Sequence, residues 1–418
     1  MNLIKTSILS SVATVIKMIN GFVVVKIIAI YVGASGLAFI GHFQNFITMM
    51  MSFATGAINS GVVKYTAEHR KDESEKQKLW STAVRISLAA TFFSSLMLVL
   101  FHGYLSNLFF KNDEYGSIFI IFAITLVLFV LNSLLLAILN GQKEIKKLVS
   151  IGIVSSFIGL LLTGVLSYYF GLYGALLSYT ISQALVFFVT VFFVFKSNWF
   201  KVKLFTSSLD ISYMKKLGGY TAMALSSALS IPVSMMLIRT YIGDNLGWEA
   251  AGYWDGIWKI SSAYLMFVTT TLSIYYLPRL SEIKEDKELK KEILDGYKII
   301  IPVITFIAIC IYFARNIIIQ VLFTSEFSPM AELFLYQMIG DVIKIASWLL
   351  GYIMIARAMT KSFIATEIFF SVSFVLFSIL LINIFGLIGV TLAFALNYLI
   401  YLFIMLFIFR NTLRKQHD

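Results

Sequence analysis

Residues 16–51 read IKMINGFVVVKIIAIYVGASGLAFIGHFQNFITMMM. The stretch contains Lys17 and Lys26, no acid, and no polar segment long enough to be a surface loop. An apolar run of about 20 residues crosses a bilayer as a helix. Here two such runs are joined only by Tyr31-Val-Gly33. The same texture continues along the chain. Hydrophobic residues make up 59% of the 418 positions and charged residues 13%, about half the charged share of a soluble domain. The fold class read from this pattern is an all-α polytopic membrane protein. Spans are expected near 8–32, 37–63, 79–102, 115–140, 148–170, 174–196, 217–242, 250–277, 293–314, 329–356, 361–384 and 386–410, about twelve transmembrane helices.

The apolar run from Ile8 to Val32 lacks a small-residue cleavage site and reads as a first span, not a removable signal. A single cysteine, Cys310, excludes an internal disulfide, and the four histidines are scattered, so no metal site is expected. No G-x-x-x-x-G-K-[ST] run is present, so no nucleotide-binding loop and no cofactor are expected. The net charge of +11 prompts the thought of nucleic acid, but topology explains it. With the spans above, 25 of the 33 Lys and Arg fall in alternate loops on one side, while Lys111 and Arg315 alone fall on the other. That asymmetry places both termini in the cytoplasm, in a bacterial inner membrane. The outer loops, near 103–114 and 315–328, are too short for an extracytoplasmic catalytic domain, so an enzyme is not expected.

Within the spans remain the cations Lys17, Lys26, Arg85, Arg239, Lys259 and Lys344, and the acids Asp255, Glu332, Asp341 and Glu367. A charge at the bilayer centre costs about 3 kcal/mol on insertion scales, so such groups face a cavity or a partner. Near a helix end they instead snorkel to the interface. Both readings stand for Lys17, Lys26 and Arg239; Arg85 reads as snorkelling. Lys17 and Lys26 are nine residues apart, which on a straight helix at about 100° per residue turns them to opposite faces. Asp255 and Lys259, spaced i,i+4, are expected to pair beside Trp254 and Trp258, either as a sugar-handling wall or as a structural ion pair at an aromatic belt. Asp341 and Lys344, spaced i,i+3, are expected to pair as a structural lock or a gate. Glu367 is a candidate proton site.

Residues 229–267 read LSIPVSMMLIRTYIGDNLGWEAAGYWDGIWKISSAYLMF and resemble the opening stretch. Aligning Gly41 with Gly252 sets an offset of 211, which places Gly21 on Pro232 and Gln44 on Asp255. Two halves, 1–205 and 206–418, are therefore expected as six-helix bundles related by pseudo-two-fold symmetry, with a central cavity. Gly21 and Pro232, each inside the first helix of a half, are candidate hinges or ordinary membrane-helix residues.

Five runs carry a family likeness: Tyr31-Val-Gly-Ala-Ser-Gly-Leu37, Asn59-Ser-Gly-Val-Val-Lys64-Tyr65, Gly252-Tyr-Trp-Asp-Gly-Ile-Trp258, Tyr276-Leu-Pro-Arg-Leu-Ser281 and Gln337-Met-Ile-Gly-Asp-Val-Ile-Lys344. Together, in this order along nearly the whole chain, they resemble the Wzx-type flippases, in the branch that contains O-antigen and lipid III flippases. That branch belongs to the polysaccharide transport family of the multidrug/oligosaccharidyl-lipid/polysaccharide exporter superfamily. The resemblance implies a flippase moving undecaprenyl-diphosphate-linked oligosaccharide to the periplasmic leaflet by alternating access, for lipopolysaccharide or O-antigen assembly. The lipid bilayer and the lipid-linked oligosaccharide are the implied partners, with glycan polymerase and chain-length machinery as candidates. It makes Lys17, Lys26, Arg239 and Lys259 candidate substrate-binding cations, and Asp255, Asp341 and Lys344 gating or coupling groups. Gln44 departs from the pattern, since close relatives often carry an arginine there. Two alternatives remain: a cation-coupled drug or metabolite exporter of the same fold, and a membrane-embedded transferase or polymerase.

Overall fold

The structure, a computed structural model, describes residues 3–283, 285–357 and 359–410. Among them the backbone is helical almost throughout and contains no strand. With no water in the bilayer core, a helix is the way a chain satisfies its own N–H and C=O groups. The helices are α1 (Leu3–Tyr31), α2 (Gly33–Ala54), α3 (Asn59–Glu68), α4 (Glu73–Leu100), α5 (His102–Phe110), α6 (Gly116–Gly141) and α7 (Ile145–Phe195). They continue as α8 (Ile211–Leu246), α9 (Trp248–Thr271), α10 (Leu277–Glu282), α11 (Asp286–Leu322), α12 (Phe334–Ala356), α13 (Thr360–Phe385) and α14 (Ile388–Ile408).

Eight of the described helices are long and apolar enough to cross a membrane, and the pair α2–α3, bent by 52°, makes a ninth. The 51-residue α7 counts once there, although Gly171, at φ 54° and ψ −131°, breaks it into two lengths. α8 and α9, of 36 and 24 residues, are long enough but carry the buried charges. Counted this way, the helices make the twelve spans read from the sequence, and the chain is a multi-pass membrane protein. Large aromatics such as Phe313 and Phe306, 76% and 69% exposed, cover surfaces that only lipid would tolerate.

The sequence boundaries differ at three places. The second span is bent between Thr55 and Ile58, where Gly56 and Ala57 both take positive φ. α11 outruns its expected limits at both ends, because its charged first turns project beyond the apolar stretch. The segment near 103–114 contains a helix, α5, rather than an open loop.

The chain forms two compact units. The first is Met1–Val32 with Phe39–Pro232, and the second is Gly33–Ala38 with Val233–Asp418. In the first, α6 packs against both α4 and α7, and its Phe119 and Phe122 meet Phe43 and Phe46 of α2. The segment after α7 lies along the start of α4. Lys201 Nζ meets Glu73 Oε1 at 2.7 Å, and Ser81 Oγ donates to the Leu204 carbonyl and accepts from the Ser207 N–H. Glu75 accepts from Lys78 at 2.7 Å and from the Tyr213 hydroxyl at 2.6 Å. In the second unit, α12 packs between α11 and α14, and α13 lies against α14.

The same internal joints recur in the two halves of the sequence. Gly171 and Gly386 (φ 60°, ψ −146°) both use a backbone region that favours glycine. Three residues on, a Cβ at Gly174 would lie 1.9 Å from the Leu166 carbonyl oxygen, and one at Gly389 would lie 2.1 Å from that of Leu381. All of these pairs are 215 residues apart. Gly33 (φ 78°) and Gly247 (φ 94°), at the starts of α2 and α9, are 214 apart. The repeat is thus present, but the offset of 211 read from the sequence is about one helical turn short. A slip of one turn leaves an apolar helix pattern unchanged. At 215, Gly41 matches Gly256, Gln44 matches Lys259 and Lys64 matches Arg279.

Candidate functional site

In the second unit, α8, α9 and α12 carry five of the ten charges within the spans, Arg239, Asp255, Lys259, Asp341 and Lys344. α9 is drawn close to its neighbours by two glycines spaced i,i+4. A Cβ at Gly252 would fall 1.9 Å from the Ala34 carbonyl oxygen, and one at Gly256 would fall 2.7 Å from Met330 Sδ. Between them stands Asp255, 3% exposed, which accepts from the guanidinium of Arg239, itself 2% exposed. Lys259 Nζ lies 3.9 Å from the other carboxylate oxygen. The expected Asp255–Lys259 pair is therefore present as the looser half of a three-membered cluster. Arg239 also lies over the Trp254 ring, 5.7 Å from its centroid.

The polar accounting of this cluster is incomplete. Arg239 Nε and Nη1, Asp255 Oδ2 and Trp254 Nε1 are buried without a hydrogen-bond partner. An unmade buried hydrogen bond costs about 1–3 kcal/mol. Such orphans in a native core call for a specific explanation.

Asp341, fully buried on α12, is held by neutral donors. The Ser261 hydroxyl lies 2.7 and 2.6 Å from its two oxygens, the Tyr264 hydroxyl donates at 2.6 Å, and Gln337 Nε2 donates at 3.3 Å. The expected ion pair with Lys344 does not form. Three groups, two of them on another helix, meet the carboxylate first, and the Lys344 chain runs elsewhere.

Its ammonium lies among four rings instead: Trp348 at 4.9 Å, Trp258 at 5.5 Å, Tyr398 at 5.6 Å and Phe394 at 5.8 Å from the centroids. Gly340, one turn before Lys344, makes this possible, since a Cβ there would fall 2.4 Å from Phe394 Cδ1 and hold α14 away. Each cation–π contact contributes about 0.5–2 kcal/mol. Four of them are together comparable to the ~3 kcal/mol that a charge costs at a bilayer centre. The rings continue as a ladder: Trp254 to Trp258 at 6.1 Å, Trp258 to Phe394 at 5.4 Å and Phe394 to Tyr398 at 4.9 Å. Arg239 lies on its first ring and Lys344 among its last three.

Glu367 is half-buried on α13. In the first unit, Lys17 is exposed on α1 with its tip against Gly152 of α7, where a Cβ would come within 2.9 Å of Nζ. Lys26 and Gln44 are half-buried. Gly21 is exposed in an unbroken α1, and a Cβ there would meet nothing within 4 Å. Pro232 is buried inside α8, at the residue where the two units divide. Sequence reasoning missed Ser261, Tyr264 and Gln337 around Asp341, and Trp348, Phe394 and Tyr398 around Lys344. The available signal was spacing: Gln337, Asp341, Lys344 and Trp348 follow one another at i+4, i+3 and i+4, one stripe of a helix.

Known proteins resemble the chain from end to end. A family model described as polysaccharide biosynthesis protein matches residues 43–332. A lipid III flippase of Escherichia coli (strain K12) is 29% identical over 402 residues, 96% of each chain. Among solved structures, an inward-facing multidrug resistance MATE family transporter of the MOP superfamily superposes with a TM-score of 0.78 at 14% identity, covering 97% of this chain and 96% of the other. The lipid II flippase MurJ, in an inward closed conformation, superposes with a TM-score of 0.73 at 17% identity, covering 97% and 87%. These structures show the fold, and the likeness to Wzx-type flippases read from the sequence agrees with them. The chain belongs to the polysaccharide biosynthesis protein family and has the fold of the MOP-superfamily transporters.

Proposed function

We propose that the protein flips an undecaprenyl-diphosphate-linked oligosaccharide, an O-antigen or common-antigen repeat unit, from the cytoplasmic to the periplasmic leaflet by alternating access. The protein is a transporter rather than an enzyme. The observation that carries the substrate class is the likeness to a lipid III flippase along 96% of both chains. The buried cluster supports the sign of the cargo. Arg239, Lys259 and Lys344 against Asp255 and Asp341 leave a formal surplus of one positive charge. A diphosphate is costly to carry through hydrocarbon, and polar residues along its path lower that cost while the polyprenyl tail stays in lipid.

In this reading Lys17, Lys26, Arg239 and Lys259 attract the anionic head, and Asp255, Asp341 and Glu367 act in gating or coupling. Pro232 serves as a hinge of α8, supported by the division of the chain at that residue. Residues 1–205 and 206–418 are the two repeats. The asymmetry of basic loops supports the inner membrane with both termini cytoplasmic, and glycan polymerase and chain-length machinery are the proposed partners. Deleting the gene and identifying the lipid-linked oligosaccharide on the cytoplasmic face tests the function. Accumulation of one undecaprenyl-diphosphate-linked glycan is expected. Unchanged surface glycan together with altered drug susceptibility would instead establish an exporter of small molecules.

A further inference from the structure

We infer that Lys344, held among Trp258, Trp348, Phe394 and Tyr398, is a binding site for the diphosphate of the cargo, a deepening that rests on the flippase reading. Arg239 and Lys259 both meet Asp255 and share its single negative charge. Lys344 meets no carboxylate among the described residues, and the one acid near it on its own helix, Asp341, is satisfied by Ser261, Tyr264 and Gln337. The ring faces stabilise the positive charge but accept no conventional hydrogen bond, and of the four side chains Tyr398 alone carries an acceptor, its hydroxyl oxygen. At least two of the three N–H bonds of the ammonium are thus left for a ligand, and phosphate oxygens are strong acceptors for them. The side chain is half-buried, as are Trp258, Trp348 and Tyr398, so the group is reachable without unfolding the unit.

A lysine that served as a structural lock would behave differently. It would have a counter-ion, and replacing it by an apolar side chain would strand that counter-ion. Here Met in its place would be a flexible apolar chain among aromatic rings, a favourable contact.

The test uses the full-length protein in nanodiscs of zwitterionic lipid, with geranylgeranyl diphosphate as the probe and the intrinsic fluorescence of Trp258 and Trp348 as one readout. Wild-type protein is expected to bind the diphosphate more tightly than geranylgeranyl monophosphate, with a change in fluorescence. Lys344→Met is expected to weaken diphosphate binding at least tenfold while its melting temperature is unchanged or higher. Lys344→Arg is expected to retain binding within about threefold. Unchanged binding in Lys344→Met overturns the inference, and so does a wild-type protein that binds no diphosphate. If Lys344→Met does not fold, Lys344→Arg decides, and its loss of binding counts against the site. Competition by phosphatidylglycerol as strong as that by the diphosphate would assign the site to lipid headgroups and overturn it too. Failure of the flippase reading would show separately, as no lipid-linked glycan accumulating on deletion.

Discussion

At the scale of single residues, the most deeply buried ion pair among the described residues joins Arg239 to Asp255. Removing one partner of a buried pair costs about 3–5 kcal/mol, because the other is left charged and unmatched. The three-membered cluster makes the two removals unequal. Asp255→Leu strands two cations, whereas Arg239→Met leaves the carboxylate with Lys259. Asp255→Leu is therefore expected to destabilise more, and the double variant to recover most of the loss. Thermal unfolding of the purified single and double variants measures this, and simple additivity would mean that the pair is not coupled. Half of this cluster was legible in the sequence. The i,i+4 spacing pointed to Lys259, but Arg239 precedes Asp255 by 16 positions across a helix junction, and no periodicity reports such a contact. The Asp341–Lys344 spacing misled for a related reason. Spacing along one helix says which groups can meet, not which donors a neighbouring helix brings closer.

At the scale of elements, apolar length located nearly every helix, since a membrane span has little freedom in length. The turn at Gly171 falls between the expected spans 148–170 and 174–196. The bend after α2, inside the expected span 37–63, was harder to see, because it depends on local backbone angles, which hydropathy does not record. How the strap between Lys196 and Ile211 is held was also invisible, because its hydrogen bonds reach residues more than 120 positions away. Its charges carry a pH dependence. The hydrogen bond from Lys201 holds Glu73 below its ordinary value of 4.5, and those from Lys78 and then Tyr213 do the same for Glu75. A depressed carboxylate contributes stability that is present above its ordinary value and lost as pH falls through the lowered one. The strap is thus expected to become a few-fold more susceptible to pepsin between pH 5 and about pH 3. Glu73→Gln is expected to show part of that susceptibility already at pH 5. Equal cleavage of both proteins across this range would remove these carboxylates from the account.

At the scale of the whole molecule, the repeat was recognisable from its texture, but only backbone geometry fixed its register. Gly174→Ala and Gly389→Ala are expected to be similarly damaging, at or above the top of the usual range of about 1–3 kcal/mol for overpacking, because each new methyl group would meet a carbonyl. Gly21→Ala, with open space around it, is expected to stabilise by up to about 1 kcal/mol through helix propensity. Unfolding midpoints of the three variants give the comparison. Tolerance of Ala at only one of the two matched positions would mean that the units do not share this joint.

The same two joints bear on how the chain enters the bilayer during synthesis. Across Gly171 the helix reverses with no intervening polar loop, the flanking residues being Tyr168, Tyr169 and Phe170, each 59–70% exposed. Gly386 is likewise flanked by Ile384 and Phe385. A translocating hairpin normally has to drag its hydrophilic tip through hydrocarbon. These two hairpins have tips that are themselves aromatic and aliphatic, so each can be inserted as a unit, and aromatic rings favour a membrane–water interface. Both lie at the C-terminal ends of their repeats, where the last two spans of a half leave the ribosome together.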